Sequence, residues 1–173
     1  MTSNAYMGIQ VAEGRVRPEW IDYNDHMNVA YYVLAFDLAI DALWARIGIT
    51  DEYIATTRGS TFAVDSHVTY QQELKLDDPY VVTMDLLAYD QKRIHQFQRM
   101  YHAEQGYLAA TAEWMSLHVD LNRRKVTAWP QSVLDELAVI AVEQGSAVEP
   151  DERCRRVRVK TPIFSIYDQG DER

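Results

Sequence analysis

One helical segment followed by a run of alternating segments limits the folds open to this chain. From Val29 to Ile47 the apolar residues recur at steps of three and four, which predicts a helix with one apolar face. Asn28 is a candidate N-cap, and Gly48 follows the predicted end. Alternating residues predict strands over 10–17, 61–70, 80–88, 93–102 and 107–121, and Pro130 opens a second helix that is expected to end near residue 142. One helix before a run of strands cannot build βαβ units, so the predicted class is α+β with a mainly antiparallel sheet.

Length and charge restrict the domain organisation and the partners. The 173 residues fit one domain, which we place at residues 1–142, and residues 143–173 form a C-terminal extension that is an edge strand or partly disordered. With 17 Lys and Arg against 26 Asp and Glu, the net charge is −9, which argues against nucleic acid as a partner. No apolar run approaches the ~18 residues of a membrane span, and no signal peptide is visible, so we expect a cytoplasmic protein without a membrane partner.

No cofactor or metal is expected from the motifs. The sequence has no Gly-rich phosphate loop, and its His residues lack the HxH and HExxH spacings of metal ligands. The one cysteine, Cys154, excludes a disulfide framework within the chain and a Cys-based zinc cluster. The basic stretch 123–125 is either a solvated turn or a contact for the phosphate groups of a ligand.

The loop that precedes the predicted helix carries the densest group of chemically useful side chains. Its sequence, DYNDHMN, spans Asp22 to Asn28. Free backbone N–H groups at a helix N-terminus stabilise developing negative charge, such as the oxyanion of a thioester or ester carbonyl. Carboxylate, amide and imidazole groups together can activate and orient a water molecule. The same loop also suits a simple cap, in which Asp22, Asn24 and Asn28 satisfy helix donors and His26 faces solvent.

A resemblance to a known family adds to this pattern. The stretch DYNDHMNVAYY resembles the D-x-N-x-H-x-N signature of hotdog-fold acyl thioesterases, and Val68–Glu73 resembles the strand that ends in their acidic catalytic residue. The resemblance implies a curved antiparallel sheet wrapped around a central helix. It also implies the catalytic set Asp22, Asn24, His26 and Glu73. The 4-hydroxybenzoyl-CoA type carries a second Asp where this chain has Asn24, so the carboxylate chemistry of that group does not transfer unchanged.

The substrate is suggested by longer similar segments. PEWIDYNDHMNVAYYVLAFDLAIDAL, DQKRIHQFQRMYH and AEWMSLHVD resemble the betainyl-CoA thioesterases of carnitine degradation. A trimethylammonium group cannot donate hydrogen bonds, so its recognition requires aromatic faces and carboxylates. The chain has 11 Tyr and four Trp against four Phe. The candidate substrate-binding residues are Trp20, Tyr23, Asn28, Tyr31 and Trp114. Tyr32, on the first helical turns, could also supply an aromatic face, and Tyr32 and Trp114 each suit a core position equally well.

These observations predict a hydrolase for an acyl-CoA thioester, with betainyl-CoA as the substrate that the resemblance favours. Glu73 or Asp22 would act as the base for water, and His26 and Asn24 would position the water or the acyl group. The resemblance also implies a homodimer or a dimer of dimers. The alternatives are another short-chain, medium-chain or aromatic acyl-CoA as substrate, a dehydratase, or an acyl-thioester-binding protein without hydrolytic activity.

Overall fold

The structure is a computed structural model that describes residues 6–145, 149–154 and 157–166. Its class is α+β, as predicted. The elements in chain order are β1 (Ile9–Arg15), a short 3-10 helix (Pro18–Trp20), α1 (Val29–Arg46), α2 (Asp51–Thr57), β2 (Gly59–Tyr70), β3 (Pro79–Tyr89), β4 (Arg93–His102), β5 (Leu108–Asp120), β6 (Lys125–Val126), α3 (Gln131–Glu143) and β7 (Phe164–Ser165). No helix among the described residues is long and apolar enough to cross a membrane.

The strands of the described residues form a seven-stranded sheet with the order β1-β3-β4-β5-β2. Outside this path, β6 pairs with β5 and β7 pairs with β3. Strand β1 is antiparallel to β3, from the pair Ile9 and Met84 to the pair Arg15 and Pro79, with an irregularity after Gln10. The strands at the two ends of this order are therefore β1 and β2.

Helix α1 follows the predicted apolar stripe. Tyr32, Phe36, Ile40 and Leu43 are all buried along it, at helical spacing. Helix α2 was not predicted, because seven residues are too few to show a helical period. It begins where the Thr50 hydroxyl accepts a hydrogen bond from the Tyr53 amide at 3.2 Å. The short strands β6 and β7 were not predicted either.

The chain divides into two compact units, and the first comprises Met1–Leu43, Val68–Met84 and Gln98–Ala112. Its interior contains Phe36 and Leu74, both 0% exposed. The Gln98 side chain donates a hydrogen bond from Nε2 to the Phe36 carbonyl at 3.1 Å, which fixes α1 against β4. The predicted catalytic loop and the segment that contains Glu73 both belong to this unit.

The second unit comprises Trp44–His67, Asp85–Phe97 and Glu113–Arg173. Its apolar core includes Phe97, Met115 and Val157. A buried polar pair lies in the same unit, since His95 Nε2 and Glu113 Oε1 are 2.6 Å apart and both side chains are fully buried. The other carboxylate oxygen of Glu113 accepts a hydrogen bond from the Cys154 amide at 2.5 Å. This bond anchors the C-terminal segment to β5.

The C-terminal segment after α3 combines irregular chain with one short strand. Gln144 donates from Nε2 to the Leu86 carbonyl and accepts the Leu86 amide through Oε1, at 2.8 and 2.9 Å, in the manner of a strand partner. Further along, β7 pairs antiparallel with β3. The prediction of an edge strand or partial disorder over 143–173 also covers residues 146–148, 155–156 and 167–173, which lie outside the described residues.

Candidate active site

Backbone hydrogen bonds close the loop before α1 into a compact turn. Ile21 and Met27 form an isolated antiparallel bridge, and the Asp22 amide donates to the His26 carbonyl at 3.0 Å. The Met27 amide donates to the Leu74 carbonyl at 2.8 Å. This last bond holds the loop beside the residue that follows Glu73, so two predicted catalytic segments meet in the structure.

The carboxylate of Asp22 contacts two other residues of the same turn. Its Oδ1 accepts a hydrogen bond from the Asn24 amide at 2.7 Å, and its Oδ2 lies 3.9 Å from His26 Nδ1. Asp25 has a φ of 62°, a left-handed conformation that Asp tolerates better than most residues. Asp22 is mostly buried at its side chain, whereas His26 is about a third exposed. The turn therefore places an acid against one ring nitrogen of a partly accessible imidazole.

Asn28 caps α1, as predicted. Its side-chain Oδ1 accepts a hydrogen bond from the Ala30 amide at 3.0 Å, and its carbonyl accepts one from Tyr31. Val29, the first residue of α1, has no intrahelical acceptor for its N–H group, by helix geometry. The N-terminus of α1 thus provides a backbone donor and the positive end of the helix dipole beside the catalytic loop.

A cleft of about 170 Å³ opens at this helix N-terminus. Its lining includes His26, Val29, Tyr32, Tyr70 and Glu73, all within the first unit. The Glu73 carboxylate pairs with Lys75 Nζ at 3.1 Å, and its backbone carbonyl accepts a hydrogen bond from the Tyr107 hydroxyl at 2.9 Å. Among the described residues, the cleft therefore joins two members of the predicted catalytic set, His26 and Glu73, to a helix N-terminus.

The predicted substrate-binding aromatic residues lie elsewhere. Trp20 is 4% exposed and stacks on Tyr31, with ring centroids 5.6 Å apart. Tyr23 is 93% exposed at the tip of the loop. Trp114 is buried on β5, in the second unit. None of these four residues lines the cleft in the described part of the chain, nor do Asp22 and Asn24.

Two tyrosines that the sequence analysis did not select line the cleft instead. The rings of Tyr32 and Tyr70 meet edge to face, with centroids 5.4 Å apart and an angle of 77° between their planes. The Tyr32 hydroxyl accepts a hydrogen bond from the Leu74 amide at 2.8 Å, and burial raises the pKa of Tyr32 to about 12. Burial also raises the pKa of Tyr70. Both residues follow the apolar patterns of their elements, so the sequence left Tyr32 equally compatible with a substrate contact and with the core.

Side chains that could bind a metal ion are not clustered in the described part of the chain. Among the residues that the structure describes, no three His, Cys, Asp or Glu side chains are grouped in a way that could hold a metal ion.

Comparisons with known proteins connect this geometry to a family. The model of the thioesterase-like superfamily matches residues 16–137. The L-carnitine dehydrogenase/betainyl-CoA thioesterase of Rhizobium meliloti is 35% identical over 152 residues, which cover 88% of this chain and 30% of that protein. The betainyl-CoA thioesterase of Pseudomonas aeruginosa is 34% identical over 129 residues, 75% of this chain and 81% of that protein. The chain thus spans less than a third of the first relative and most of the second.

Solved structures share the fold. A Staphylococcus aureus protein, determined in complex with CoA, has a TM-score of 0.78 and 29% identity, covering 86% of this chain and 94% of that one. A Pseudomonas putida KT2440 protein has a TM-score of 0.75 and 30% identity, covering 89% of this chain and 98% of that one. These neighbours confirm the hotdog fold that the loop signature predicted.

Proposed function

Because this chain belongs to the thioesterase-like superfamily, we propose that it hydrolyses an acyl-CoA thioester and that betainyl-CoA is its substrate. The observation that carries the proposal is the cleft at the N-terminus of α1, which holds His26 and Glu73 together. The names of the similar proteins from Rhizobium meliloti and Pseudomonas aeruginosa support the choice of substrate. The neighbour determined with CoA supports a CoA thioester.

The reaction requires a group that stabilises the negative charge on the thioester oxygen. The N–H of Val29 is suited to this task, because Val29 lines the cleft and its N–H group has no intrahelical acceptor. The helix dipole adds to the stabilisation of the tetrahedral oxyanion. Loss of one such donor typically lowers kcat by about 10²- to 10³-fold in related chemistry.

We assign the role of general base to Glu73. It lines the cleft, whereas the carboxylate of Asp22 is committed to the Asn24 amide and to His26. Glu73 takes a proton from water as the water oxygen attacks the thioester carbon. When the tetrahedral intermediate collapses, the C–S bond breaks and CoA leaves as a thiolate, which then takes up a proton. A thiolate is a good leaving group, so the mechanism needs no dedicated acid.

His26 and Asp22 have positioning roles in this scheme. Asp22 Oδ2 lies 3.9 Å from His26 Nδ1, and the Met27 carbonyl lies 3.3 Å from the same nitrogen. Two acceptors at Nδ1 favour the tautomer with its proton on that nitrogen. Nε2 can then accept a hydrogen bond from the attacking water or face the acyl group. Asn24 contributes through its backbone amide, which holds the Asp22 carboxylate.

The assembly that we propose is a homodimer formed through β2. This strand is at one end of the sheet order, and Phe62 and Val64 are 38% and 54% exposed along it. An exposed edge strand with apolar side chains is suited to pairing with a second copy of the same strand. A dimer of dimers would keep the same contact.

We further propose residues 1–142 as the hotdog domain, which the family match over residues 16–137 supports.

The decisive experiment is a panel of acyl-CoA substrates followed by release of free CoA and by mass spectrometry. Betainyl-CoA, medium-chain acyl-CoA and benzoyl-CoA distinguish the candidate acyl groups. Release of CoA with betainyl-CoA as the best substrate is the expected result. A mass decrease of one water without CoA release would identify a dehydratase, and binding without turnover would identify a binding protein. Either of these two results would contradict the proposal.

A further inference from the structure

We propose that Tyr32, Tyr70 and Glu73 form a cation-binding corner in the cleft, and that this corner selects an acyl group that ends in a quaternary ammonium. The inference rests on the proposed thioesterase function and names the residues that determine its acyl specificity. It assigns the recognition of charge to the cleft rather than to the aromatic residues of the loop.

The aromatic part of the corner is the pair of tyrosine rings. Their planes stand at 77° with centroids 5.4 Å apart, and both residues line the cleft. Tyr70 is 47% exposed, whereas Tyr32 is 3% exposed and held by its hydrogen bond to the Leu74 amide. A trimethylammonium group has no N–H, so contact of its methyl groups with ring faces is its main attraction to a protein.

The charge of the corner is negative. Among the described residues no Lys or Arg lines the cleft, and its one carboxylate belongs to Glu73. Lys75 pairs with Glu73 Oε1, but both side chains are at least half exposed, and an exposed pair of this kind is held weakly. The negative charge of Glu73 contributes to the raised pKa of the Tyr32 phenol, after the larger effect of burial, so the field of Glu73 reaches that ring.

The other residues that line the cleft, and the volume of the cleft, suit a small cationic acyl group. Gln71 and Gln72, which connect the end of β2 to Glu73, are polar and neutral. The volume of about 170 Å³ lies below the ~300 Å³ at which pockets for drug-sized ligands begin, which favours a short acyl group. A long acyl chain would have to extend beyond the cleft.

The aromatic cluster at Trp20, in the same unit, already holds a cation. The Arg17 guanidinium lies 5.2 Å from the centroid of the Trp20 ring, and Tyr31 stacks on the same ring. A substrate cation at Trp20 would have to displace Arg17 and would be repelled by its charge. The cleft pair Tyr32 and Tyr70 has no such competitor among its lining residues.

The test compares betainyl-CoA with 3,3-dimethylbutyryl-CoA, a neutral thioester of nearly the same shape. The quantity measured is the ratio of the two kcat/KM values, at a salt concentration that screens the net charge of the protein. In the unmodified protein we expect this ratio to favour betainyl-CoA by about ten-fold or more, as two ring contacts would give. Tyr70→Leu should lower the ratio by about 3- to 30-fold, the range of one lost cation–π contact.

Two variants control for general damage to the site. Tyr70→Phe keeps the ring and should keep the ratio, even if kcat changes. Tyr23→Leu removes an aromatic ring that is 93% exposed at the tip of the loop and does not line the cleft, and it should also keep the ratio. A ratio of one in the unmodified protein, or an equal fall in both kcat/KM values in Tyr70→Leu, would overturn the cation corner.

These outcomes are separate from a failure of the proposed function. Equal hydrolysis of both thioesters would leave a thioesterase that recognises shape alone. If neither thioester were hydrolysed, the proposed function would fail, and calorimetric binding of the two compounds would still decide the inference. Tighter binding of betainyl-CoA that is lost in Tyr70→Leu supports the corner, whereas equal binding of both compounds contradicts it.

Discussion

The hydroxyl of Tyr32 accepts a hydrogen bond at 2.8 Å from the amide of Leu74, across 42 residues of sequence. Tyr32 belongs to the second turn of α1, and Leu74 directly follows the proposed base Glu73. Leu74 in turn accepts a hydrogen bond from the Met27 amide through its carbonyl. The bond from Leu74 to Tyr32 therefore fixes the helix, the catalytic loop and the carboxylate relative to one another.

We expect Tyr32→Phe to destabilise the protein by about 1–3 kcal/mol, because it leaves the Leu74 amide without its acceptor in the interior. Urea unfolding measures this difference. The matched control is Tyr70→Phe, whose hydroxyl is exposed and lies 3.4 Å from the Val29 carbonyl. This control should cost less than about 0.5 kcal/mol. Equal losses in the two variants would show that the buried bond contributes nothing specific.

The same tyrosine predicts a loss of stability at high pH. The pKa of Tyr32 is raised from 10.0 to about 12 by burial, so the unfolded chain ionises this phenol first. Its contribution to stability is complete below pH 10 and is lost as the pH rises toward 12. Between pH 9 and pH 11, the free energy of unfolding should fall more steeply in the unmodified protein than in Tyr32→Phe. Parallel pH profiles would contradict the assignment.

If Glu73 is the general base, substitutions of the two carboxylates Glu73 and Asp22 should lower kcat by different amounts. Glu73→Gln should lower kcat by about 10²-fold or more, as loss of a general base does. Asp22→Asn should have a smaller effect on kcat, since Asp22 acts through His26. Steady-state kinetics with betainyl-CoA measures both, and Glu13→Gln, an exposed acid on β1, is the control. A larger loss in Asp22→Asn than in Glu73→Gln would exchange the two roles.

Local patterns in the sequence predicted most of the elements, because each depends on its own residues. The predicted helix 29–47 corresponds to α1 at Val29–Arg46, and the predicted strand 107–121 corresponds to β5 at Leu108–Asp120. The Asn28 cap was also predictable, since a cap requires only the residue before the helix and the first turn. Helix α2 escaped prediction because its stability depends on a cap and on packing rather than on a long apolar stripe.

The composition of the cleft could not be read from the same patterns. Tyr32 on α1 and Tyr70 on β2 come together through the packing of two distant segments, and each alone is an ordinary aromatic residue of its element. The loop signature indicated His26 and the resemblance of Val68–Glu73 indicated Glu73, and both residues line the cleft. Trp20 and Tyr31 are adjacent to the signature in sequence, but their rings stack on each other, and the Arg17 guanidinium lies over the Trp20 ring. The roles of these residues and the cytoplasmic location stay predictions.

A buried histidine in the second unit predicts sensitivity to acid. His118 Nδ1 donates to the Ala128 carbonyl at 2.8 Å, and its Nε2 accepts the Tyr53 hydroxyl at 2.9 Å. Burial lowers the pKa of His118 below its ordinary value of 6.5, despite the opposing effect of the Ala128 bond. The unfolded chain therefore binds a proton near pH 6.5 before the folded protein does, so stability falls as the pH drops below 6.5.

The measurement is the free energy of unfolding at pH 7.5 and at pH 5.0. His118→Gln should show a smaller loss between these two values than the unmodified protein, although it is less stable at pH 7.5. His67→Gln, on the edge strand β2, is the control for removal of one imidazole. An unchanged difference in His118→Gln would show that other groups determine the acid response.

Pairing through β2 predicts a direct link between assembly and activity. Sedimentation equilibrium should give twice the mass of the chain, or four times for a dimer of dimers. Val64 is 54% exposed on β2, and Val64→Asp would bring a buried carboxylate into the contact from each copy, which should shift the protein to monomer. The same change at Val142, 80% exposed on α3, is the matched control and should leave the mass unaltered.

Because β2 ends at Tyr70 in the lining of the cleft, dissociation should also lower kcat/KM for betainyl-CoA. A fully active monomer would contradict both the contact and its link to the site.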